Sequence, residues 1–288
     1  MATKGGLVIL SEMYTSLSAS EKKVASYLLE HPQEAILLTA NELGNRSSTS
    51  GATVIRLCKS LHLKGFQDLK LRIAGDLNKT SESGYRDIEP NESISSIIEK
   101  MVSNSMQTIQ ETAELLDTAE LQKAINVLEK VDRVHFVGVG ASSIIAQDAQ
   151  QKFIRINKTA YAFSDMHMAA TLIANGDSND AVVGISFSGE TPEVANILNL
   201  ARKKHIHTLS LTKYSSSTAT READINLYTS ATREPTFRSG ATSSRMAQLQ
   251  VIDILFMCVA SLQYDKTVKY LDTTREAVKN LVQKNNKK

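Results

Sequence analysis

The stretch DAVVGISFSGETPEVANILNLARKK, residues 180–204, changes its hydrophobic pattern in the middle. Residues 181–185 form a short apolar run, which is typical of a buried strand. Gly189 permits a tight turn, and Thr191 followed by Pro192 is a favoured start for a helix. Apolar residues then recur at helical spacing. The sequence therefore predicts a strand, a hydroxyl-rich turn and a helix in succession.

The same alternation of strand and helix patterns continues on both sides of this stretch. Further strands are predicted at RVHFVGVG (133–140), HTLSLT (207–212) and DINLYT (224–229). Helices are predicted at SSIIAQDAQQKFIRI (142–156) and SRMAQLQVIDILFMCVASL (244–262). Strands that alternate with helices indicate a mostly parallel sheet covered on both faces. We therefore expect a doubly wound α/β domain of the flavodoxin-like or Rossmann-like kind.

The first quarter of the chain has helical periodicity and no convincing β alternation. A helix that begins near Ser18 ends at Pro32, and Thr39 with Glu42 three residues later has the capping-box pattern. A polar segment with glycine and proline then predicts a linker. The predicted organisation is a helical domain, a linker, the α/β domain and a basic C-terminal tail, at residues 1–76, 77–91, 92–270 and 271–288.

Composition and charge narrow the functional classes. The 288-residue chain has a net charge of only +2, so any nucleic-acid surface must be local. Residues 1–80 carry 10 Lys and Arg against 7 Asp and Glu, a modest basic excess. Cys58 and Cys258 lie in apolar surroundings and do not form a disulfide framework. With no signal peptide and no window near the roughly 18 apolar residues of a membrane span, we expect a soluble cytoplasmic protein.

Two predicted strands end in segments rich in glycine and hydroxyls, GVGASS (138–143) and SFSGET (186–191). Ligands of open α/β sheets bind beyond such strand ends. GVGASS is a broken dinucleotide fingerprint, because Ser143 stands where the third glycine belongs, and there is no Walker-type loop. Hydroxyls and helix N-terminal amides suit a phosphate, whereas the alternative is a plain turn with Thr191 as a cap. The predicted phosphate-binding residues are Gly140, Ser142, Ser143, Ser186, Ser188, Gly189 and Thr191.

These two loops and the spacing between them resemble the sugar isomerase (SIS) domain, over roughly residues 105–265. In that family, the serines and the threonine of the loops hold the phosphate of a phosphosugar. The matching positions are Ser142, Ser143, Ser186, Ser188 and Thr191. The resemblance implies a phosphosugar ligand, whose sugar could contact His167, Glu190, Arg238, Ser244 or Arg245.

Catalysis needs a further residue. Isomerisation of a phosphosugar requires a base beside the reacting carbons, usually Glu or His. Glu190 is a candidate, but an acid near a helix N-terminus is favourable without any catalytic role. No carboxylate or cysteine near His205 and His207 completes a metal site. We therefore assign no catalytic residue, no metal and no cofactor.

The segment TANELGNRSSTSGATVIRLCKSLHLKGF, residues 39–66, has the length and rhythm of a helix-turn-helix. The first helix is predicted at 39–45, and the recognition helix begins at Ser50. Its inward face carries Val54, Leu57 and Leu61. The alternative is an ordinary helical domain with a solvated polar face. The predicted DNA contacts are Ser50, Thr53 and Arg56 near base edges, with Lys59 and Lys64 on phosphates.

This region also resembles the N-terminal domain of RpiR-type bacterial regulators, through SASEKKVASYLLEHP (18–32) and TSGATVIRLCKSLHLKGFQDLK (49–70). Such regulators join this domain to a SIS domain in the same order. Two positions depart from the family: His62 stands where glycine is common, and Thr49 where an apolar residue is common.

The double resemblance implies a transcriptional regulator without enzymatic activity. Its partners would be operator DNA, a phosphosugar effector and further copies of itself in a homodimer or homotetramer, with no membrane. Apolar stripes in 94–128 and 249–262 are candidate interfaces. Repression relieved by the sugar is the commoner arrangement, and N-acetylmuramic acid 6-phosphate is the effector we favour. The alternatives are a phosphosugar isomerase or lyase, and a sensor that binds a protein partner.

Overall fold

The computed structural model describes residues 5–77, 91–163, 165–231 and 241–284. The chain divides into two compact units, Met1–Leu115 with Ser230–Ser244 and Leu116–Thr229 with Arg245–Lys288. The first unit is helical in its described parts, and the second contains the sheet. Most of the predicted linker lies outside the described residues, and so does Arg238. The domain boundaries that we predicted therefore stay predictions.

The helical unit confirms the predicted helix-turn-helix fold, and its capping residues lie where the sequence placed them. Ser18 with Glu21 and Thr39 with Glu42 each form a capping box. Pro32 opens a short helix of its own. The elements are α1 (Gly6–Met13), a 3₁₀ turn (Tyr14–Ser16), α2 (Ala19–Glu30), α3 (Pro32–Ala35), α4 (Ala40–Arg46), α5 (Gly51–Ser60), α6 (Phe66–Asp76) and α7 (Ile94–Leu115).

A polar tie joins α2 to the end of α5. The Ser60 hydroxyl donates to Glu21 Oε1 at 2.6 Å, and the Ser18 amide donates to Glu21 Oε2 at 3.0 Å. Burial by itself raises the pKa of Glu21, but the hydrogen bonds from Ser18 and Ser60 lower it by more. The carboxylate therefore stays ionised and fixes α5 against α2. Nearby, burial raises the pKa of the Cys58 thiol to about 11, which fits a core residue.

The chain turns after α5 through a Schellman motif, with His62 in a left-handed conformation (φ 56°). The Leu63 amide donates to the Cys58 carbonyl at 2.9 Å, and the His62 amide donates to the Lys59 carbonyl at 3.0 Å. Glycine is favoured at this position because it has no Cβ to strain. The motif thus gives a physical reason for the glycine of the family pattern at the position where this chain has His62.

Replacing His62 with glycine is expected to stabilise the helical unit by about 0.5–1 kcal/mol, since relief of left-handed strain exceeds the added chain entropy. The measurement is the urea midpoint of unfolding, followed by circular dichroism. His62→Ala is the control, because alanine keeps the Cβ while losing the imidazole. Equal midpoints for the glycine and alanine variants would show that strain at this turn does not contribute.

The sheet unit confirms the doubly wound α/β class. TAYAF, which we did not predict as a strand, forms an edge strand, and residues 271–284 continue a helix instead of forming a tail. The elements of the sheet unit are α8 (Thr118–Lys130), β1 (Arg133–Gly138), α9 (Ala141–Arg155), β2 (Thr159–Phe163), α10 (Met166–Ile173), β3 (Asp180–Ile185), α11 (Pro192–Lys203), β4 (His207–Lys213), α12 (Thr218–Glu222), β5 (Ile225–Thr229), α13 (Ser243–Leu262) and α14 (Tyr264–Lys284).

The five strands are parallel and lie in the order β2-β1-β3-β4-β5. One apolar layer packs residues of α8, α9 and α13 on the sheet, around Phe136 and Phe153. The other layer packs α10 and α11 around Val182 and Leu198. A parallel sheet buried on both faces explains why its strands read as continuous apolar runs.

Helix α13 is long and apolar enough to cross a membrane by length and composition alone. This corrects our prediction that no segment comes close to that limit. The helix supplies Val251, Ile252, Leu255 and Val259 to the first apolar layer of the sheet unit. A core helix of a sheet domain passes the same test, and the packing favours that interpretation.

Candidate functional site

The two predicted phosphate loops leave neighbouring strands at the same edge of the sheet. Gly138, the last residue of β1, pairs with Ile185, the last residue of β3. The order of strands reverses between β1 and β3, which is the switch point where ligands of this topology bind. The loops 139–143 and 186–191 therefore begin side by side at the place where an open α/β sheet receives its ligand.

The first loop delivers its serines through a glycine turn. Gly140 has a φ of +59° directly before α9, a conformation that residues with a Cβ rarely adopt. A Cβ on Gly138 would lie only 2.6 Å from the Ser142 carbonyl oxygen, so the end of β1 and the first turn of α9 are in close backbone contact. Ser142 is buried, and the Ser143 hydroxyl donates to the Gly140 carbonyl at 2.7 Å. Both serines thus belong to the first turn of α9.

The second loop gathers hydroxyls around a turn. Ser186 is buried, and its Oγ lies 2.8 Å from Thr191 Oγ1. The Gly189 amide donates to Ser186 Oγ at 3.1 Å, and the Glu190 amide donates to Ser188 Oγ at 3.2 Å. Thr191 is the residue before α11, but its side chain makes no capping hydrogen bond. We weighed a capping role for Thr191 against phosphate binding. The Thr191 hydroxyl does not cap α11 and is paired with Ser186 instead.

A third segment, residues 213–219 from the end of β4 into the first turn of α12, fixes the second loop, and we assigned it no role from the sequence. The Lys213 amide donates to the Phe187 carbonyl at 2.8 Å, and the Ala219 amide donates to the Gly189 carbonyl at 2.9 Å. A Cβ on Gly189 (φ +72°) would meet Ser217 Oγ at 2.1 Å. The hydroxyl run SSST at 215–218, which follows a predicted strand, was the available signal.

Glu190 is engaged by this third segment. Its carboxylate accepts hydrogen bonds from the Thr218 amide at 3.2 Å and from the Thr218 hydroxyl at 2.5 Å. Thr218 is the first residue of α12, so Glu190 acts as an acidic partner of that helix N-terminus. This is the structural role that we weighed against catalysis.

The other residues considered for the sugar that the structure describes, His167, Ser244 and Arg245, lie at helix starts. His167 is exposed in the first turn of α10, and its amide donates to Asp165 Oδ1 at 2.8 Å. Because β2 pairs with β1, α10 begins at the same edge of the sheet as the loop after β1. Ser244 is buried and Arg245 is exposed in the first turn of α13. Their roles, like those of the two loops, stay predictions.

The combined arrangement can hold an anion. Helices α9 and α11, of 15 and 12 residues, begin at the two loops. Their N-terminal amides and dipoles favour negative charge, and the serine hydroxyls can donate to phosphate oxygens. Across the ranges that the structure describes, no cluster of His, Cys, Asp and Glu suited to a metal ion is present.

In the helical unit, α4 and α5 have the geometry of a helix-turn-helix. A Cβ on Gly44 would lie 2.4 Å from the Ser50 carbonyl carbon, so the two helices meet at backbone distance. Ser50 precedes α5, and its Oγ accepts from the Thr53 amide at 3.3 Å. The predicted helix bounds are confirmed to within a residue.

One DNA contact is corrected. Thr53 is only 3% exposed, so it does not lie on the outer face where we placed it. Its Oγ1 accepts from Arg56 Nη2 at 3.1 Å, which orients the guanidinium. Thr53 faces inward because it lies four residues before the buried Leu57, on the same face of α5. The outer face of α5 carries Ala52, Ile55, Arg56 and Lys59, with Ile55 42% exposed.

Comparison with known proteins identifies both units. Residues 127–258 match the family described as "SIS domain", and residues 4–80 match "Helix-turn-helix domain, rpiR family". The chain is 51% identical over 281 residues to the "Uncharacterized HTH-type transcriptional regulator YbbH" of Bacillus subtilis (strain 168), covering 98% of this chain and 99% of the relative. It is 40% identical over 272 residues to a regulator of the same description from Caldanaerobacter subterraneus, covering 94% and 96%.

Solved structures agree with this assignment. The Vibrio vulnificus NanR protein, complexed with ManNAc-6P, is 28% identical with a TM-score of 0.61, covering 96% of this chain and 99% of that one. The sugar isomerase domain of the RpiR transcription factor from Sphaerobacter thermophilus, at 18% identity and a TM-score of 0.57, covers 62% and 98% and supports the fold alone. The chain therefore belongs to the rpiR family of helix-turn-helix transcriptional regulators that carry a SIS domain.

Proposed function

We propose that the protein is a repressor of sugar or amino-sugar metabolism genes, and that a phosphosugar bound at the loops 139–143 and 186–191 controls it. The observation that carries the proposal is that the loop with Ser142 and the loop with Ser186 and Thr191 leave paired strands at the β1–β3 switch point. Phosphate would be held by hydroxyls and by the first turns of α9 and α11. The proposal places the protein in the cytoplasm, because its DNA target lies there.

The effector is an amino-sugar phosphate in this proposal. NanR, with a similar fold over nearly the whole chain, is complexed with ManNAc-6P. That likeness supports an amino-sugar phosphate as the effector, the class to which our predicted N-acetylmuramic acid 6-phosphate belongs. ManNAc-6P and N-acetylmuramic acid 6-phosphate therefore both belong in the test panel. His167, which lies at the same edge of the sheet, is our candidate for the sugar end.

The DNA-reading surface is proposed at Ser50, Arg56 and Lys59, with Lys64 on the backbone. Residues near the start of a recognition helix contact base edges, and lysines farther along contact phosphates. Ile55 joins this set because it is exposed on the outer face of α5, where an apolar side chain can contact a thymine methyl group.

Replacing Arg56 with alanine is expected to weaken operator binding by about 10- to 100-fold, the range for losing one base-edge contact. Affinity for the sugar phosphate is expected to stay unchanged. The measurement is fluorescence anisotropy with labelled operator DNA, alongside calorimetry with the sugar phosphate. Lys23→Ala is the matched control, because it removes an exposed cation from α2. Equal losses for the two variants would mean that Arg56 contributes only charge.

Self-association as a homodimer or homotetramer is part of the proposal. Residues 94–106 of α7 expose six apolar side chains: Ile94, Ile97, Ile98, Met101, Val102 and Met106. An apolar stripe of this size on one helix is typical of an interaction surface. Pairing two copies across it would present two recognition helices to a two-fold operator.

A phosphosugar isomerase or lyase is the second candidate, because the SIS domain is shared with isomerases. The contact of Glu190 with Thr218 weighs against Glu190 as a free base. Incubation with the same panel of sugar phosphates, followed by chromatography of the products, tests this alternative directly. Turnover that survives Arg56→Ala would favour the enzyme.

A further inference from the structure

The residues that directly follow β5 are held by two helices of the helical unit. The Ser230 amide donates to Thr112 Oγ1 at 3.2 Å, and the Ser230 hydroxyl donates to Glu111 Oε2 at 2.7 Å. Both acceptors belong to α7. From α1, Glu12 Oε1 lies 3.2 Å from the Ser230 hydroxyl and also accepts from the Ala231 amide. The bonds of Ser230 to Thr112 and Glu111 are buried, and the two bonds to Glu12 are partly buried.

The other end of this connection lies at the phosphate loops. The Phe187 carbonyl of the second loop accepts from the Lys213 amide at 2.8 Å. The next residue, Tyr214, donates its amide to the Thr229 carbonyl at 3.1 Å, and its ring lies 4.8 Å from that of Tyr228. Thr229 ends β5 and is covalently joined to Ser230. A change at Phe187 is therefore two hydrogen bonds and two peptide bonds away from Ser230, which Glu12 contacts.

Helix α1 is in turn fixed within the helical unit. The amides of Gly5 and Leu7 donate to the two carboxylate oxygens of Asp76, at 2.7 and 2.8 Å, which ties the start of α1 to the end of α6. Ile9 and Leu10 of α1 are buried in the unit. A displacement of α1 at Glu12 is therefore transmitted to packed neighbours and is not absorbed by a loose terminus.

We propose that Glu12 is the residue through which occupancy of the phosphate loops is transmitted to the DNA-binding helices. This inference rests on the proposed function and adds the route of regulation. Closure of residues 186–191 on a phosphate draws Lys213 and Tyr214, shifts the end of β5, and changes the bonds of Ser230 and Ala231 to Glu12. Glu12 lies in α1, outside both the phosphate loops and the proposed recognition helix, so the role we propose for it is to couple the two binding equilibria.

Coupling is measured as the ratio of operator Kd values with and without sugar phosphate, and allosteric ratios of about 5- to 150-fold are typical. Glu12→Ala is expected to bring the ratio close to 1, while the operator Kd without effector and the effector Kd without DNA stay within about twofold of the native values. Glu12→Gln keeps an acceptor oxygen and is expected to retain part of the ratio. Glu30→Ala, on the exposed surface of α2, is the control.

The probes are ManNAc-6P, N-acetylmuramic acid 6-phosphate and inorganic phosphate. An unchanged ratio in Glu12→Ala, with both ligands still bound, would overturn the inference and leave the proposed function standing. No effector response in the native protein would instead remove the proposed function. Ser230→Ala approaches the same contact from the other side, so a full native ratio in a folded Ser230→Ala variant also counts against the inference.

Discussion

Replacing both Ser186 and Ser188 with alanine is expected to weaken sugar-phosphate binding by at least about 100-fold and to abolish the effector response. Each hydroxyl that donates to an ionised phosphate contributes about 1.5–3 kcal/mol, so losing two removes most of the affinity. Operator binding without effector should be unchanged, because both serines lie in the sheet unit. Calorimetry with the sugar phosphate and anisotropy with operator DNA measure the two effects separately.

The matched control for the double variant is Ser261→Ala with Thr273→Ala. These hydroxyls lie on the exposed surfaces of α13 and α14 and donate to carbonyls of their own helices. Ser186 also accepts from the Gly189 amide, so thermal unfolding must accompany the binding data. A folded double variant that binds the effector with native affinity would rule out the second loop as the phosphate site.

Replacing Gly44 with alanine is expected to destabilise the helical unit by about 1–3 kcal/mol, the range for overpacking, and to abolish operator binding. Alanine within a helix normally stabilises relative to glycine by about 1 kcal/mol. Here the added Cβ would lie 2.4 Å from the Ser50 carbonyl carbon and 2.6 Å from the Gly51 nitrogen. Backbone atoms cannot rotate away, so α4 and α5 must separate. Urea unfolding measures the change.

Gly51→Ala provides the comparison for Gly44→Ala within the same motif. A Cβ there would meet Asn41 Oδ1, the end of an exposed and flexible side chain. The expected cost is therefore small, below about 1 kcal/mol, since the asparagine can change rotamer. Similar stabilities for the two variants would contradict the view that backbone contact between α4 and α5 fixes the motif.

The elements with strong periodicity were predictable from sequence. Short continuous apolar runs followed by helical spacing located four of the five strands of the sheet. The Thr39–Glu42 capping pattern located the start of α4. The edge strand β2 was missed because TAYAF is short and only partly buried. Helix α14 was missed because its residues 271–281 are mostly polar and exposed, so they carry a weak apolar signal.

What the structure bears out of the candidate site is the neighbouring position of the strands that carry its two loops. Serines and glycines after two strands indicated the phosphate loops, because parallel strands bring their ends together. The contacts of Ser217 and Thr218 with the second loop were not predicted. They arise because β4, which precedes these two residues, pairs with β3, which precedes the loop. The burial of Thr53 was also missed. Helical spacing shows which residues share a face of α5, but it does not show which face the neighbouring helices cover. The contact of Glu12 with residues 230–231 joins positions more than 200 residues apart, and no local pattern indicates it.

We propose that one molecule binds operator DNA through its helix-turn-helix and that a sugar phosphate bound in its SIS domain alters that binding. The most direct measurement is anisotropy of the purified protein with labelled DNA from upstream of its own and neighbouring genes. It is made over a salt series, with and without the panel of sugar phosphates. We expect sequence-specific DNA binding that weakens steeply with salt. We also expect one sugar phosphate of the panel to reduce this binding. Absence of specific binding under every condition would contradict it.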